Sequence, residues 1–595
     1  MAGTGDMRGA AEDRSFFGHP RGLVVLFLTE MWERFSYYGM RAMLVTYLLW
    51  HFMRTEAEAY GIYAAYAGMI YLAPLIGGWL ADRYLGTRRA VAFGAILITM
   101  GHFVMAWEGA PARAFIVSNG TPHEITSSLN PDDEGPQFQR FIAMHGVKAP
   151  VENYVVEGDH ARATVDMNMA GAKAIIQGPL RKVTDPVSEA MLFLALALII
   201  VGTGFLKANI SAVVGSLYGQ RDPRRDSGFT VFYMGINLGA LMGITLVGYL
   251  GIAWGWAWGF GAAGVGMLAG LVIYLIGQPW LKGRGDPPDI EKLKARYLGP
   301  LSREWCIYIA SILSVGVAWL IVRYLGQLEL VDLLALVGIT VQSGSIIGEF
   351  TIFDMLMSLL FIAVIIAVIA YAASKLERQD RDRLITLVIL SFCCLVFLTL
   401  FEQAPISLLV FQTKFVDTGI FTAQQIGLFN PAFILLFGPV IIALWRRLGE
   451  REPSIPVKFA LGLIQVGVGF LVLDLGIMVS GGDMVMGVVW VALLYLFHTT
   501  GELCLQPVGL SAVTKLSPRR MVGFMMGVWF LAFSLGQVMA SIVSKATVVP
   551  EGTEKALAMA QFAQVYMWLG LASVVCGVAV WIAAPRLKAM MHGQG

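Results

Sequence analysis

The chain has 595 residues, 57% of them hydrophobic and 14% charged, with 43 Lys and Arg against 41 Asp and Glu. Soluble proteins carry about 25% charged residues, so this composition excludes a soluble enzyme, a disordered chain and a disulfide scaffold. A net charge of +2 gives no electrostatic reason to expect a nucleic-acid partner.

The N-terminal tail, residues 1–22, is polar and lacks the short apolar core of a cleavable signal. Hydrophobic runs then fall at about 23–50, 61–80, 88–107, 190–216, 228–250, 256–280, 304–325, 351–375, 384–404, 426–445, 457–478, 485–507, 521–544 and 562–585. Each of these fourteen runs is long enough to cross about 30 Å of hydrocarbon as a helix. Continuous runs also exclude an outer-membrane barrel, whose strands alternate. Lys and Arg cluster after the even-numbered runs, as at Arg83, Arg88 and Arg89, or Lys282, Arg284, Lys292, Lys294, Arg296 and Arg303. The positive-inside rule therefore predicts that both termini are cytoplasmic.

The third and fourth runs are separated by a polar insertion, residues 108–188, expected on the outer face. Asn119–Gly120 between the β-prone stretches Ala114–Ser118 and Asn153–Val156 is a hairpin signal. A small β-containing cap is expected, a loosely ordered loop being the alternative. An acidic patch, Asp132–Asp133–Glu134, lies within it. The expected organisation is a six-helix bundle over 23–280, a linker with an additional helix pair over 281–383, a second six-helix bundle over 384–585 and a tail, 586–595. Val331–Val341 is too short to span and is expected at the interface. The five cysteines, Cys306, Cys393, Cys394, Cys504 and Cys576, lack C-x-x-C spacing, and no disulfide or metal framework is expected.

The informative residues are ionisable groups inside apolar runs, where a charge at the bilayer centre costs about 2.5–3.5 kcal/mol on insertion scales. In the first run Glu30, Glu33, Arg34, Tyr37, Tyr38 and Arg41 lie at offsets 0, 3, 4, 7, 8 and 11, one continuous helix face. An internal ion-pair staple needs fewer groups than this, so the stripe reads as the wall of a transport cavity. The same cost singles out Lys207, Glu402 and Glu502 in runs four, nine and twelve. Acids and bases on separate helices can exchange partners as helices move, which is what a proton-coupled gate requires; fixed buried pairs are the alternative. His498, Asp474, His102 and Glu349 are weaker candidates, with His498 four residues before Glu502 and more readily a core histidine. Tyr233 and Asn237 share a face, and Asn430 precedes a proline where freed backbone suits a cavity wall. Gly77–Gly78 and Gly235–Gly239 read as close helix contacts.

Several segments resemble the proton-dependent oligopeptide transporters of the major facilitator superfamily. They are E-x-x-E-R-F-S-Y-Y-G (Glu30 to Gly39), G-T-G-F-L-K-x-N (Gly202 to Asn209) and F-Y-M-G-I-N-L-G (Phe232 to Gly239). Gly77 to Arg89, Gly501 to Ser511 and Met525 to Leu531 are similar to further segments of that group. The resemblance implies an all-α polytopic membrane protein of the major facilitator fold, with two six-helix bundles and, as in bacterial members, an additional helix pair. It implies a bacterial inner-membrane symporter, not an enzyme, importing di- and tripeptides with protons by alternating access; the same fold carrying another small anion or amino acid is the alternative. No cofactor beyond the proton gradient is expected; the partners are peptides, protons and membrane lipid, with the chain a monomer.

By the same resemblance, Glu30, Glu33, Arg34 and Glu402 would couple protons. Arg41 with Glu402 would form the outer gate pair and Lys207 with Glu502 the inner one. Arg34 and Lys207 would attract the peptide carboxylate and Glu502 the amino terminus. Tyr37, Tyr38, Tyr71, Tyr233, Asn237, Asn430 and Trp529 would contact the peptide. The chain departs from the group's pattern at Phe397–Leu398, Gln506 and Ala532–Phe533, and at Ala64, where animal members carry a histidine. Proton coupling here is therefore expected to rest on carboxylates.

Overall fold

In the computed structural model the described residues are 18–593 apart from 133–134, 145–146, 158–159, 167–172, 219–221, 223, 337–349, 481–484, 519–520 and 551–552. The first six runs form α1 (Gly22–Trp50), α2 (Glu56–Leu80), α3 (Thr87–Ala106), α4 (Pro186–Ser216), α5 (Arg225–Ala253) and α6 (Trp256–Gly277). A short α7 (Ile290–Lys294) precedes α8 (Arg303–Leu320), α9 (Leu330–Leu336) and α10 (Ile352–Lys375). The remaining helices are α11 (Arg378–Phe401), α12 (Ser407–Phe415), α13 (Phe429–Leu448), α14 (Ile455–Val479), α15 (Val488–Leu516), α16 (Val522–Lys545) and α17 (Lys555–Met590).

Among the described residues, 13 helices are long and apolar enough to cross a membrane. The first run is α1, 29 residues long, and it lies outside that set; it carries Glu30, Glu33, Arg34 and Arg41 along its length. Several helices outrun their apolar stretches, because polar ends extend beyond the hydrocarbon. Helix α2 starts at Glu56 on a capping box in which Thr55 and Glu58 satisfy each other's backbone N–H groups. Run nine is one helix that ends at Phe401; beyond it a short helix, α12, starts at Ser407, with Pro405 inside the gap. The expected interfacial segment is α9; residues 337–341 of it, like Glu349, fall outside the described residues.

Packing is governed by small residues that bring backbones together, as expected where lipid removes the hydrophobic contrast between helices. On α5, a Cβ at Gly239 would stand 2.0 Å from the Met31 carbonyl oxygen, and one at Gly243 would stand 2.2 Å from that of Phe35. Only glycine allows α5 to lie this close to the charged stripe of α1. The additional helices divide between neighbours: α8 packs on α4, whereas α10 packs on α16 and α11.

The insertion is more ordered than the hairpin signal alone implies. Six strands, β1 (Arg113–Ser118), β2 (Thr121–Asp132), β3 (Gly135–Met144), β4 (Val147–Glu157), β5 (His160–Asp166) and β6 (Lys173–Val183), close into an antiparallel barrel in which β6 pairs back to β1. The β1–β2 turn is Asn119–Gly120, with φ +51° and +77°, the conformation a two-residue hairpin loop requires. Ala114, Ile116, Ile125, Ile142, Ala149, Ala163 and Val165 are buried in a core of small aliphatic side chains. The barrel sits beside the C-terminal end of α1: the Ala112 N–H donates to the His51 carbonyl at 2.8 Å, and the Arg140 guanidinium lies 5.5 Å from the Trp50 ring centre. Asp133 and Glu134 of the acidic patch lie outside the described residues. All five cysteines are free.

Candidate functional site

The stripe of α1 folds as its spacing predicts, and nearly all of it is buried. Arg34 Nε donates to Glu30 Oε1 at 2.8 Å and stands 3.0 Å from Glu33 Oε2. Glu30 and Glu33 are each 1% exposed, so these charges are held by one another rather than by solvent. One turn along, the Tyr37 and Tyr38 rings meet edge to face at 5.1 Å. The Arg34 and Arg41 guanidiniums each lie 6.0 Å from the Tyr37 ring centre.

Lys207, from α4, completes this wall. Its Nζ stands 3.7 Å from the Tyr71 ring centre, and Arg34, Glu33 and Glu30 are its charged neighbours. Two carboxylates thus balance one guanidinium and one ammonium within a single cluster. Arg41 points elsewhere: its Nη2 pairs with Glu402 Oε2, and its Nε donates to the Tyr63 hydroxyl at 2.6 Å. Tyr63, fully buried on α2, was not singled out from the sequence; a tyrosine in an apolar run gives little sign of its partner.

Glu402 lies where α11 ends, and the break is held by its neighbour Gln403. Gln403 Nε2 donates to the Ala540 carbonyl at 3.0 Å, while its Oε1 accepts from Ser407 at 2.5 Å and Ser544 at 2.8 Å. This fully bonded amide joins both sides of the break to α16. Sequence reasoning passed over it because an uncharged side chain next to a glutamate carries no cost signal; Pro405 was the available hint.

Glu502 and Asn430 meet across α15 and α13: Asn430 Nδ2 donates to Glu502 Oε2 at 2.9 Å and to Thr499 Oγ1 at 3.1 Å. Tyr233, from α5, lies beside Asn237 and faces Glu502. Among the described residues no ion pair joins Lys207 to Glu502, and of the two gate pairs the structure brings together Arg41 and Glu402. Trp529 is buried on Gly509, where a Cβ would stand 2.3 Å from the indole, and lies against Phe533, which in turn meets Tyr71 at 5.4 Å. His498 is buried between the Phe401 and Phe470 rings, and among the described residues its Nε2 has no hydrogen-bond partner. Among the described residues the buried His102 ring has no hydrogen-bond partner, and Asp474 is partly exposed.

Polar bonds between the first six helices and the last group concentrate toward the end of α1 that bears the barrel. Besides Arg41–Glu402, Lys414 pairs with Glu56, Gln424 Nε2 donates to Thr46 Oγ1 at 3.2 Å, and Gln425 Nε2 to the Thr245 carbonyl at 3.2 Å. On the α2–α16 seam, Ser534 and Ser541 donate to the Gly68 and Tyr60 carbonyls, each at 2.7 Å. The seam is therefore closed on the barrel side. Among the described residues no group of three or more His, Cys, Asp or Glu could hold a metal ion.

A buried balanced cluster on one wall, with single carboxylates opposite, is an arrangement for handling a charged solute inside a membrane, and comparison with known proteins agrees. The model of the POT family matches residues 88–569. The chain belongs to the POT family. It is thus a polytopic protein of a transporter family with the major facilitator fold. An uncharacterized transporter of Bacillus subtilis, YclF, is 31% identical over 593 residues, covering 98% of this chain and 96% of that one. A di-/tripeptide transporter of Lactococcus lactis subsp. lactis is 31% identical over 551 residues, 88% of this chain and 89% of the other. The crystal structure of a POT peptide transporter in complex with sulfate superposes with a TM-score of 0.70 at 31% identity, covering 99% of each chain.

Proposed function

We propose that this POT family member imports di- and tripeptides together with protons across the bacterial inner membrane. The observation that carries the reading is the charge layout of the site. Glu30, Glu33, Arg34 and Lys207 balance one another on one wall, while Glu502 on the opposite wall is held only by neutral donors. A zwitterionic peptide fits between them: its carboxylate adds an anion where Arg34 and Lys207 supply charge-assisted bonds, and its ammonium meets Glu502. Tyr37, Tyr38, Tyr71, Tyr233, Asn237, Asn430 and Trp529 would line the space between the two ends. The relatives named as di-/tripeptide transporters support the substrate class.

Proton coupling would follow from Arg41 and Glu402. A proton on Glu402 removes the charge that holds Arg41, and the barrel-side seam loses the buried ion pair between the α1 stripe and the break after α11. Return of the proton to the opposite side would restore the pair. Glu30 and Glu33 would communicate with the carboxylate end through Arg34 and Lys207. Lys207 and Glu502 would close the other end when the solute is absent. The basic loops at the N-terminal end of α1 support cytoplasmic termini, with the barrel outside.

Purified protein in liposomes tests this directly. An imposed inward proton gradient should drive accumulation of labelled dialanine, competed by unlabelled di- and tripeptides. Gradient-driven uptake competed by nitrate or a single amino acid, and not by peptides, would favour the same fold carrying another solute. No gradient-driven uptake of either kind would reject symport.

A further inference from the structure

Between α6 and α8 the chain builds a surface that peptide transport leaves unused. After α7 the strands β7 (Arg296–Leu298) and β8 (Leu301–Ser302) form a hairpin. Its tip is Gly299–Pro300, with Gly299 at φ +58°. Every residue of β7 is exposed: Tyr297 is 65% and Leu298 68% exposed, and Trp305 on the first turn of α8 is 60% exposed. This three-residue strand presents a tyrosine and a leucine outward, and among the described residues no apolar side chain covers them.

Basic groups surround the apolar ones. Lys292, Lys294 and Arg296 are exposed, and among the described residues they make no ion pair. Two nearby acids are paired, Asp286 with Arg88 at 2.7 Å and Glu304 with Arg89 at 2.5 Å; Asp289 accepts from the Lys292 N–H at 2.8 Å and Glu291 is exposed beside Lys292, so the three basic side chains outnumber the acids left among them. Arg303 fixes the hairpin's direction, its guanidinium lying 4.9 Å from the Tyr297 ring centre and 5.5 Å from that of Tyr84. The depth of this surface follows from connectivity. The membrane span containing α8 begins at Arg303, directly after the hairpin, so the hairpin stands where hydrocarbon gives way to headgroups.

We propose that the hairpin Arg296–Ser302, with Trp305, Lys292 and Lys294, is a binding surface for anionic lipid headgroups. Tyr297, Leu298 and Trp305 seat at the acyl–headgroup boundary, where amphipathic rings collect. Lys292, Lys294 and Arg296 meet the lipid phosphates. Charge selects anionic over zwitterionic lipid, and the neighbouring ends of two spans select a bilayer over a soluble partner. Asp286 and Glu304 link this surface to Arg88 and Arg89 at the start of α3, so bound lipid bears on the loop between α2 and α3.

Native mass spectrometry of the full-length protein, titrated with phosphatidylglycerol or phosphatidylcholine, tests the surface independently of what is transported. The protein should retain phosphatidylglycerol in preference. With each basic residue near an anionic surface worth about fivefold, Lys292→Gln, Lys294→Gln and Arg296→Gln together should weaken that retention by roughly 100-fold, while phosphatidylcholine binding is unchanged. Lys292→Arg with Lys294→Arg and Arg296→Lys should keep the preference, and Tyr297→Ser with Leu298→Ser should weaken both lipids. An undiminished preference in the triple Gln variant would overturn the proposal, as would its loss in the charge-keeping one. Displacement of phosphatidylglycerol by inorganic phosphate at equal concentration would overturn it in favour of a simple phosphate site.

Discussion

The two walls of the site handle charge differently. The wall from the first six helices neutralises itself: Arg34 stands between Glu30 and Glu33, with Lys207 beside them. The wall from the later helices contributes Glu402 and Glu502 without a cation of its own at the site. Glu402 takes Arg41 from across the seam, and Glu502 takes the Asn430 amide. Removing one partner of a buried pair strands the other at a cost of about 3–5 kcal/mol. A self-contained cluster can therefore stay fixed while the helices move, whereas a carboxylate that depends on the opposite wall must change state when the walls part. The first kind of wall suits binding and the second suits switching.

Substitutions that erase this asymmetry should have graded effects. The largest is expected for Glu402→Gln, which keeps the shape and removes the charge that holds Arg41. Gradient-driven accumulation should fall to the level reached without a gradient, while exchange of peptide for peptide continues; undiminished accumulation would remove Glu402 from coupling. Next, Glu502→Gln should weaken binding of a free dipeptide by roughly 10- to 100-fold, because a hydrogen bond to a charged group is worth about 1.5–3 kcal/mol. An N-acetylated dipeptide, lacking the ammonium, should show no such loss, and equal weakening of both ligands would count against an amino-terminal anchor.

A smaller effect is expected at Gln403. Gln403→Leu leaves the Ser407 hydroxyl without its acceptor, at about 1–3 kcal/mol for a buried group left unsatisfied, and cuts the bonds from the break to Ser544 and the Ala540 carbonyl, which still bond each other. Thermal stability should drop, and the pH profile of uptake should shift while peptide affinity in the absence of a gradient holds. A stability loss with an unmoved pH profile would mean that Gln403 only braces the helix break. The smallest effect is outside the membrane. Burial, and secondarily Arg224, hold the His19 imidazole below its ordinary pKa, and its Nδ1 lies 2.9 Å from the Tyr218 hydroxyl. The neutral ring is the favoured form, so this contact's stabilisation is present above about pH 6.5 and declines as pH falls below it. Melting curves at pH 7.5 and 5.5 should differ less in His19→Gln than in the parent chain.

What could be read from the sequence was what one helix contains. The stripe from Glu30 to Arg41 follows from periodicity and from the cost of charge in lipid, and both survive folding. The pairing of Arg41 with Glu402 did not follow from spacing; it came only through family resemblance, since 361 residues separate the two. Helix positions around the seam were equally hidden. In a bilayer, protein-facing and lipid-facing surfaces are both apolar, so nothing in α10 announces that it docks on α16. The Asn119–Gly120 turn was visible because a tight hairpin is local. Closure of the barrel was not, because it depends on β6 finding β1 across the whole insertion.

That closure has a further consequence. Since β1 and β6 are neighbours, with Arg113 opposite Val183, the insertion leaves and re-enters the membrane bundle through adjacent strands about 5 Å apart. To α3 and α4 the whole barrel therefore has the footprint of a short connector. A fold anchored in this way can be exchanged for another of the same footprint without altering the spacing of the helices beneath it. The barrel is accordingly a natural place to graft an epitope or a reporter onto the carrier.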